Sequence, residues 1–383
     1  MKRIICLLVV CFLFVGFSPA GVQAVDLNIA AKSALLMDVA TGTVLYESNS
    51  HAPLPPASVT KVMTMLLIME AIDSGRIGWN DMVTASESAA AKGGSQIYLK
   101  VGETMSVTDM VKSIAVSSAN DCACAMAEHI AGSESAFVDA MNARAGELGM
   151  QDTHFVNCTG LDDSEEAKKS HKTSAYDIAI MSRQLLKYHP DIKKFTTIWM
   201  DTVRNGTFGL SNTNKLVRFY SGATGLKTGF TSDAGYCLSA SAERDGLELV
   251  AVVMGCETSA QRFGACKSLL DYGFANFALV KPEMPQSSHI PVKLGVADSV
   301  RAVPAEQSEL LIDKSQKNMV TTEIILDPEV AAPVSKGQRL GTMTVKAGQQ
   351  ILKEIPLVAD QSVPRLTWGQ IFLQVLKRLC FTK

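Results

Sequence analysis

The chain has 383 residues, of which 47% are hydrophobic and 19% charged, and its formal net charge is -2. These values exclude a disordered or strongly basic polypeptide, and no basic stripe supplies the charged surface of a nucleic-acid-binding protein. At this length we expect one large domain accompanied by something smaller.

The first 24 residues have the layout of a secretory signal peptide. Lys2 and Arg3 precede an apolar stretch, and small residues ending at Ala24 follow it. This pattern predicts a signal peptide over residues 1–24 and an exported protein. The alternative is an uncleaved N-terminal membrane anchor. Lipidation of Cys11 is not expected, because Val10 is too large for the residue that precedes a lipoprotein cysteine.

The chain contains nine cysteines, two of them in this first segment. An odd, scattered set does not indicate a disulfide framework in an exported protein, so we expect most of the thiols to pack as small hydrophobes. There is no Cys-x-x-Cys pair, and the six histidines lack the spacing of a zinc site. Neither a metal nor an organic cofactor is expected.

The alternation of apolar and polar residues over 32–49 predicts a β-hairpin. Helical periodicity begins at Ser58 and runs through Ile72, and further helices are predicted over 106–118, 118–132, 135–150 and 173–189. Ser106 and Asp109 fit a capping box. Three strands over 225–255 and a helix over 259–277 follow. Strands are thus predicted at both ends of this part of the chain, with helices between them. This order predicts an α/β (α+β) domain: an antiparallel sheet with flanking helices and a helical insertion.

The composition changes near residue 282, where "KPEMPQSSH" reads as a linker. We therefore predict a first domain over 25–282 and a small all-β domain over 286–362, built from several short alternating runs. The last segment, 366–383, has apolar residues at helical spacing and basic ones on the other face. It predicts a short amphipathic helix lying on a membrane surface. The alternative is a helix docked on the β-domain.

Three short motifs carry the chemistry. Ser58 and Lys61 are spaced three apart, which is either a helix cap beside a surface lysine or a nucleophile beside its base. Serine-alanine-asparagine follows at 118–120 and lysine-threonine-glycine at 227–229. Each motif is weak alone, but their order and context together are far more specific.

With these motifs, and with "GLKTGFTSDAGY", "AVVMG" and "LLDYGF", nearly the whole mature chain resembles the serine D-alanyl-D-alanine carboxypeptidases. These low-molecular-mass penicillin-binding proteins share the three motifs with the serine β-lactamases. The resemblance implies that Ser58 attacks the carbonyl between two terminal D-alanines. Burial of Lys61 beside Lys227 would favour its neutral form and make it the general base. Ser118 would relay the proton to the leaving amine, and Asn120 would orient Lys61 and the substrate.

The resemblance also implies how the substrate is held. Lys227 and Thr228 would bind its terminal carboxylate, and Gly229 would let an extended peptide approach the strand edge. The backbone amides of Ser58 and Phe230 would form the oxyanion hole.

Other positions have two interpretations. Arg262 matches a carboxylate-binding arginine, and the alternative is an exposed helix arginine. Asp177 matches a carboxylate of the carboxypeptidases, or it belongs to a helix start. A β-lactamase would need an activated water for deacylation, and Glu165, Glu166 and then Asp177 are the candidates to activate it. We expect these two glutamates in a solvated loop. Thr159 and Phe230 each stand where some relatives carry a histidine. The water that hydrolyses the acyl-enzyme is therefore left without an obvious histidine partner.

The resemblance implies an exported, peripheral protein on the outer face of the cytoplasmic membrane. Its partners would be peptidoglycan stem peptides, β-lactam antibiotics and, through the C-terminal helix, the membrane surface. Two enzyme alternatives are a β-lactamase and an endopeptidase acting on cross-links. A third is a non-catalytic wall-binding protein.

Overall fold

A computed structural model describes residues 27–285, 288–306 and 308–381, and the side chains as far as 376. The predicted signal peptide lies outside the described residues. In the first domain the principal strands are β1 (Ser33–Asp38), β2 (Val44–Ser48), β3 (Met82–Thr84), β4 (Thr104–Ser106), β5 (Met200–Val203), β6 (Phe208–Ser211), β7 (Ala223–Thr231), β8 (Gly235–Arg244), β9 (Leu247–Cys256) and β10 (Phe277–Val280).

The helices of this domain lie mostly between the two groups of strands. They are α1 (Lys61–Asp73), α2 (Glu87–Ala90), α3 (Val107–Ser117), α4 (Asn120–Ala131), α5 (Glu134–Glu147), α6 (Glu165–Ser170), α7 (Ala175–Tyr188), α8 (Lys193–Thr196), α9 (Leu216–Phe219) and α10 (Ser259–Asn276). Short 3-10 helices precede α1 (Ala57–Thr60) and α8 (Pro190–Ile192). The Ser106 side chain accepts the Asp109 N–H at the start of α3, which is one half of the predicted capping box.

The central sheet has five antiparallel strands in the order β2-β1-β9-β8-β7. β1 and β2 form the predicted hairpin, and β1 pairs with β9 so that Leu36 lies opposite Ala251. The sheet is therefore assembled from both ends of the domain, which confirms the predicted fold class. β7 is an edge strand, so no further strand of this sheet pairs with its outer side.

Helices cover both faces of the sheet. α1 is apolar around its whole circumference because it lies inside the helical layer, where Met63, Leu66 and Met69 are fully buried. Alternate residues of β1 divide between the faces: Leu35 belongs to the apolar core that contains α1, and Leu36 to the core that contains α10. The six cysteines whose side chains are described are free and buried in the two apolar cores of this domain, as expected: Cys122, Cys124, Cys158, Cys237, Cys256 and Cys266. The Cys124 and Cys158 thiols also donate to the Glu134 carboxylate.

The C-terminal part is a separate β-structure with its own core. Its strands are β11 (His289–Lys293), β12 (Ser299–Pro304), β13 (Leu310–Asp313), β14 (Val320–Leu326), β15 (Val330–Ala331), β16 (Arg339–Ala347) and β17 (Gln350–Ala359), with a 3-10 helix at Lys314–Met319. Six of them form one sheet, whereas β13 pairs with β10 of the first domain.

The chain continues into α11 (Trp368–Phe381). Trp368 is 87% exposed and Phe372 is 64% exposed, so these side chains are not packed on the β-domain, contrary to the docked alternative. Across the described ranges, no helix combines the length and apolar character that crossing a bilayer requires.

Candidate active site

Ser58 lies in a single 3-10 turn, Ala57–Thr60, and α1 begins only at Lys61. The cap residue of α1 is Thr60, and its side chain makes no capping hydrogen bond. The prediction that the helix begins at Ser58 is therefore wrong, and so is the interpretation of Ser58 as its cap. The 3-10 turn still carries Lys61 back toward Ser58, whose side chain is only half-buried.

Lys61 is fully buried and has two hydrogen-bond partners. Its Nζ lies 3.1 Å from Ser58 Oγ and donates to the Thr159 carbonyl oxygen at 2.8 Å. Burial lowers the pKa of Lys61 to about 7, against weaker opposing effects of Cys158 and Asp121. With this pKa, a large fraction of the Lys61 amine is uncharged at neutral pH and can accept a proton, which is what a general base must do.

Lys227 projects from β7 and is 1% exposed, and its Nζ donates to the Thr228 carbonyl oxygen at 2.8 Å. Burial lowers the pKa of Lys227 well below its ordinary value, and the charges of Lys61 and Arg262 lower it further. A charge on Lys61 thus disfavours a charge on Lys227. A bound anion would supply the negatively charged partner that Lys227 lacks among the described residues.

Ser118 and Asn120 form the corner between α3 and α4. Ser118 ends α3 in the left-handed region, with φ 64°, and Asn120 is the first residue of α4. The Asn120 amide donates to the Gly93 carbonyl oxygen at 2.7 Å. Ser118 Oγ and Asn120 Oδ1 are buried without a hydrogen-bond partner in the described part of the chain. No hydrogen bond joins Asn120 to Lys61 among the described residues, and the Thr159 carbonyl oxygen accepts from Lys61 instead.

Gly229 brings β7 against the nucleophile turn. A Cβ on Gly229 would lie 2.6 Å from the Pro56 oxygen and 3.1 Å from the Val59 nitrogen. The space that the missing side chain leaves is thus occupied by the protein's own backbone, rather than by a peptide as predicted. Next to it, Thr228 Oγ1 donates to Thr213 Oγ1 at 2.7 Å.

Arg262 is 7% exposed, so the alternative of an exposed helix arginine is wrong. From α10 its guanidinium reaches the sheet and donates to the carbonyl oxygens of Gly229 at 3.0 Å and Cys237 at 3.3 Å. It therefore ties the end of β7 to β8. Phe230 follows Gly229 and is 53% exposed, and the centroid of its ring lies 4.4 Å from that of Tyr236.

The carboxylates considered for deacylation make no hydrogen bond to Ser58 or Lys61 among the described residues, and Glu165 and Glu166 lie on α6 rather than in the predicted loop. Glu165 is exposed on α6 and pairs with Lys168 at 2.8 Å. Asp177 lies in the first turn of α7, where its carboxylate accepts the Asp152 N–H and the Thr153 hydroxyl. Its observed contacts are those of a residue that fixes a loop.

Sequence reasoning missed the groups that support Lys61. Asn157 Oδ1 accepts the Thr159 and Gly160 N–H groups and so shapes the turn that presents the Thr159 carbonyl. Asp121 accepts the N–H groups of Ile97 and Leu99, behind Asn120. A backbone carbonyl leaves no trace in sequence, since every residue has one. Asp121 had a weak signal, as a carboxylate beside the motif in an otherwise apolar run.

The arrangement of a half-exposed serine hydroxyl beside a buried lysine of lowered pKa is that of a serine-type hydrolase. The family described as D-alanyl-D-alanine carboxypeptidase matches residues 20–258, and the family described as penicillin-binding protein 5, C-terminal domain, matches residues 281–365.

Individual relatives agree with these matches. D-alanyl-D-alanine carboxypeptidase DacF of Bacillus subtilis is 41% identical, covering 99% of this chain and 98% of the relative. Penicillin binding protein 5 from Haemophilus influenzae has a similar crystal structure, with a TM-score of 0.72, 32% identity and coverage of 88% of this chain and 98% of that one. Penicillin-binding protein D2 from Listeria monocytogenes in its ampicillin-bound form gives a TM-score of 0.58 at 32% identity, over 64% of this chain and 98% of that one. The chain belongs to the D-alanyl-D-alanine carboxypeptidase family.

Proposed function

We propose that this protein removes the terminal D-alanine from peptidoglycan pentapeptide stems through an acyl-enzyme on Ser58. The observation that carries the proposal is the buried Lys61 amine, 3.1 Å from the Ser58 hydroxyl and with a pKa of about 7. A serine hydroxyl is a weak nucleophile until an adjacent base takes its proton.

In the acylation step, neutral Lys61 accepts the Ser58 proton as Oγ bonds to the carbonyl carbon of the penultimate D-alanine. The amides of Ser58 and Phe230 stabilise the developing oxyanion. The C–N bond to the last D-alanine then breaks, and Lys61 returns the proton to the leaving amine through Ser118. The Ser118 hydroxyl has no hydrogen-bond partner among the described residues, which supports this relay. Water then cleaves the ester, which releases the shortened stem and restores the Ser58 hydroxyl.

The Lys227 side chain on β7 would select the substrate by its charge. Lys227 has no carboxylate partner among the described residues, and the C-terminal carboxylate of the stem would provide one. Lys227 and Thr228 bind that group, while the open edge of β7 pairs with the stem backbone. Arg262 contributes through the Gly229 and Cys237 carbonyls that it holds, and so it keeps the end of β7 in place.

A β-lactam would acylate the same serine, because its ring amide resembles the D-alanyl-D-alanine bond. The ampicillin-bound relative supports this part of the proposal. Glu165 is exposed and paired with Lys168, and Glu166 is also exposed, so neither offers a buried base for rapid deacylation. The penicilloyl ester would therefore persist, as it would not on a β-lactamase.

The reaction is tested by measuring free D-alanine released from a pentapeptide ending in D-alanyl-D-alanine. Release should depend on Ser58, so Ser58→Ala should abolish it, while Ser74→Ala at the exposed end of α1 should leave it unchanged. A protein that binds the peptide but releases no D-alanine would be a wall-binding protein. Cleavage of a cross-linked stem-peptide dimer, without release of D-alanine from the pentapeptide, would indicate an endopeptidase.

We further propose that the protein is exported and lies on the outer face of the cytoplasmic membrane. The composition of residues 1–24 supports export, and the exposed Trp368, Phe372 and Leu376 of α11 support binding to lipid. Sedimentation with vesicles of phosphatidylglycerol and phosphatidylethanolamine tests the second point. Phe372→Ser with Leu376→Ser should abolish co-sedimentation, and Gln370→Ser with Gln374→Ser should not. Equal sedimentation of both double variants would contradict the anchor.

A further inference from the structure

The residue before the proposed nucleophile has a strained backbone. Ala57 has φ 49°, in the left-handed region that residues with a side chain rarely adopt, and it is buried. Such conformations persist where the surroundings over-determine them, and they cluster at functional sites. The contacts of Ala57 therefore indicate what the strain is for.

A chain of hydrogen bonds ends on the Ala57 carbonyl. The Val156 N–H donates to His171 Nδ1 at 3.1 Å, so Nδ1 carries a lone pair and Nε2 carries the hydrogen of the neutral ring. His171 Nε2 therefore donates to Thr60 Oγ1 at 2.8 Å. The Thr60 hydroxyl in turn donates to the Ala57 carbonyl oxygen, also at 2.8 Å.

The same carbonyl is enclosed from a second side. A Cβ on Gly160 would lie 1.8 Å from the Ala57 oxygen and 2.7 Å from Thr60 Oγ1. The backbone of Gly160 therefore packs closely against both atoms and leaves no room for a side chain. Burial also lowers the pKa of His171 to about 3, and the ring is neutral at any working pH. Its hydrogen-bonding roles are therefore constant.

A peptide unit is planar and trans, so its carbonyl and its N–H point in opposite directions. Fixing the Ala57 carbonyl consequently fixes the direction of the Ser58 N–H, which is the proposed oxyanion donor. From this geometry we infer that His171, acting through Thr60, is a positioning residue for the oxyanion hole. This inference rests on the proposed acylation of Ser58.

The test compares Thr60→Val, which removes the hydroxyl at nearly constant volume, with Thr60→Ser, which keeps it. His171→Leu and His171→Gln form a second pair, since the glutamine amide can still donate to Thr60. Two quantities are measured with benzylpenicillin carrying a 13C-labelled β-lactam carbonyl: the saturating acylation rate constant, and the infrared stretching frequency of the acyl carbonyl. Melting temperatures show which variants fold. His171→Leu should show the same changes as Thr60→Val, and His171→Gln should not; if His171→Leu does not fold, the threonine pair tests the hydroxyl through which His171 acts.

Removing one oxyanion donor typically costs about 100- to 1000-fold in rate, and a misdirected donor should cost about 10- to 100-fold. We expect Thr60→Val to lose that much in the acylation rate constant, with unchanged initial binding of the penicillin. Its acyl carbonyl should absorb at a higher frequency, because a weaker hydrogen bond polarises the carbonyl less. Thr60→Ser should retain the wild-type rate and frequency.

Two results would overturn the inference. One is wild-type rate and frequency in Thr60→Val. The other is a slower rate with an unchanged carbonyl frequency, which would mean that Thr60 only supports the fold. Failure of the proposed function is distinguishable from both, because the wild-type protein would then show no acyl carbonyl at all.

Discussion

Lys61 Nζ lies 3.1 Å from Ser58 Oγ in a site that buries the lysine completely. The nearest fixed acceptor for the ammonium is the Thr159 carbonyl, which is a neutral group. The lysine therefore loses its hydration without gaining a carboxylate, and this is why its pKa falls to about 7.

The first prediction concerns the pH dependence of acylation. Because Lys61 must be neutral to accept the Ser58 proton, the second-order acylation rate should rise between about pH 6 and 8, with a midpoint near 7. Lys61→Arg should lose about 1000-fold or more, since a guanidinium stays protonated. Stopped-flow acylation by a fluorescent penicillin measures both effects. Lys100→Arg, at an exposed position, is the matched control, and a flat wild-type profile would contradict the assignment of the base.

The second prediction concerns how much the burial of Lys61 lowers the free energy of unfolding. The pKa of Lys61 is about 7 in the folded protein and 10.5 for a free lysine. Burying the charged lysine therefore lowers the free energy of unfolding by its full amount below pH 7, and this cost shrinks as the pH rises toward 10.5. At about 1.4 kcal/mol per pKa unit, the penalty is at most about 5 kcal/mol. Lys61→Met should therefore raise the melting temperature by several degrees at pH 6 and by less at pH 9.5. An equal change at both pH values would exclude this explanation.

The third prediction concerns Lys227 and the substrate carboxylate. Wild-type protein should prefer a peptide with a free C-terminal carboxylate over the same peptide amide by about 10- to 100-fold, the usual range for a charge-assisted hydrogen bond. Lys227→Met should lose that preference, because it should slow cleavage of the peptide with the free carboxylate and leave the already slow cleavage of the amide unchanged. Steady-state kinetics on the peptide pair measure it. If Lys227→Met slowed both peptides equally, Lys227 would not be the carboxylate ligand.

The fourth prediction concerns the packing of β7 on the nucleophile turn. Gly229→Ala should push the turn away from β7, because the new Cβ meets the Pro56 oxygen at 2.6 Å. We expect a loss of about 100-fold in acylation and a lower melting temperature. Gly209→Ala is the control, since nothing lies within 4 Å of its Cβ in strand β6. Wild-type acylation by Gly229→Ala would show that the contact is not required.

The fold was largely predictable, because its pattern is local. The hairpin of β1 and β2 follows from alternation, and the sheet built from both chain ends follows from the order of strands and helices. The start of α1 was not predictable to the residue. The 3-10 turn at Ala57–Thr60 depends on contacts with Gly160 and Gly229, which are distant in sequence.

The site was predictable only where a side chain carries the chemistry. Ser58, Lys61 and Lys227 belong to spaced motifs, whereas the Thr159 carbonyl that holds Lys61 is a backbone group. Arg262 shows the opposite difficulty. A helix arginine is usually solvated, and only the packing of α10 on the sheet buries this one against β7 and β8.

The most direct test of Ser58 as the nucleophile is to map the residue that benzylpenicillin acylates. After brief exposure, denaturation and proteolysis, mass spectrometry should place a single penicilloyl group on Ser58, and Ser58→Ala should carry none. A penicilloyl group on another residue, or undiminished release of D-alanine from the pentapeptide by Ser58→Ala, would contradict the account.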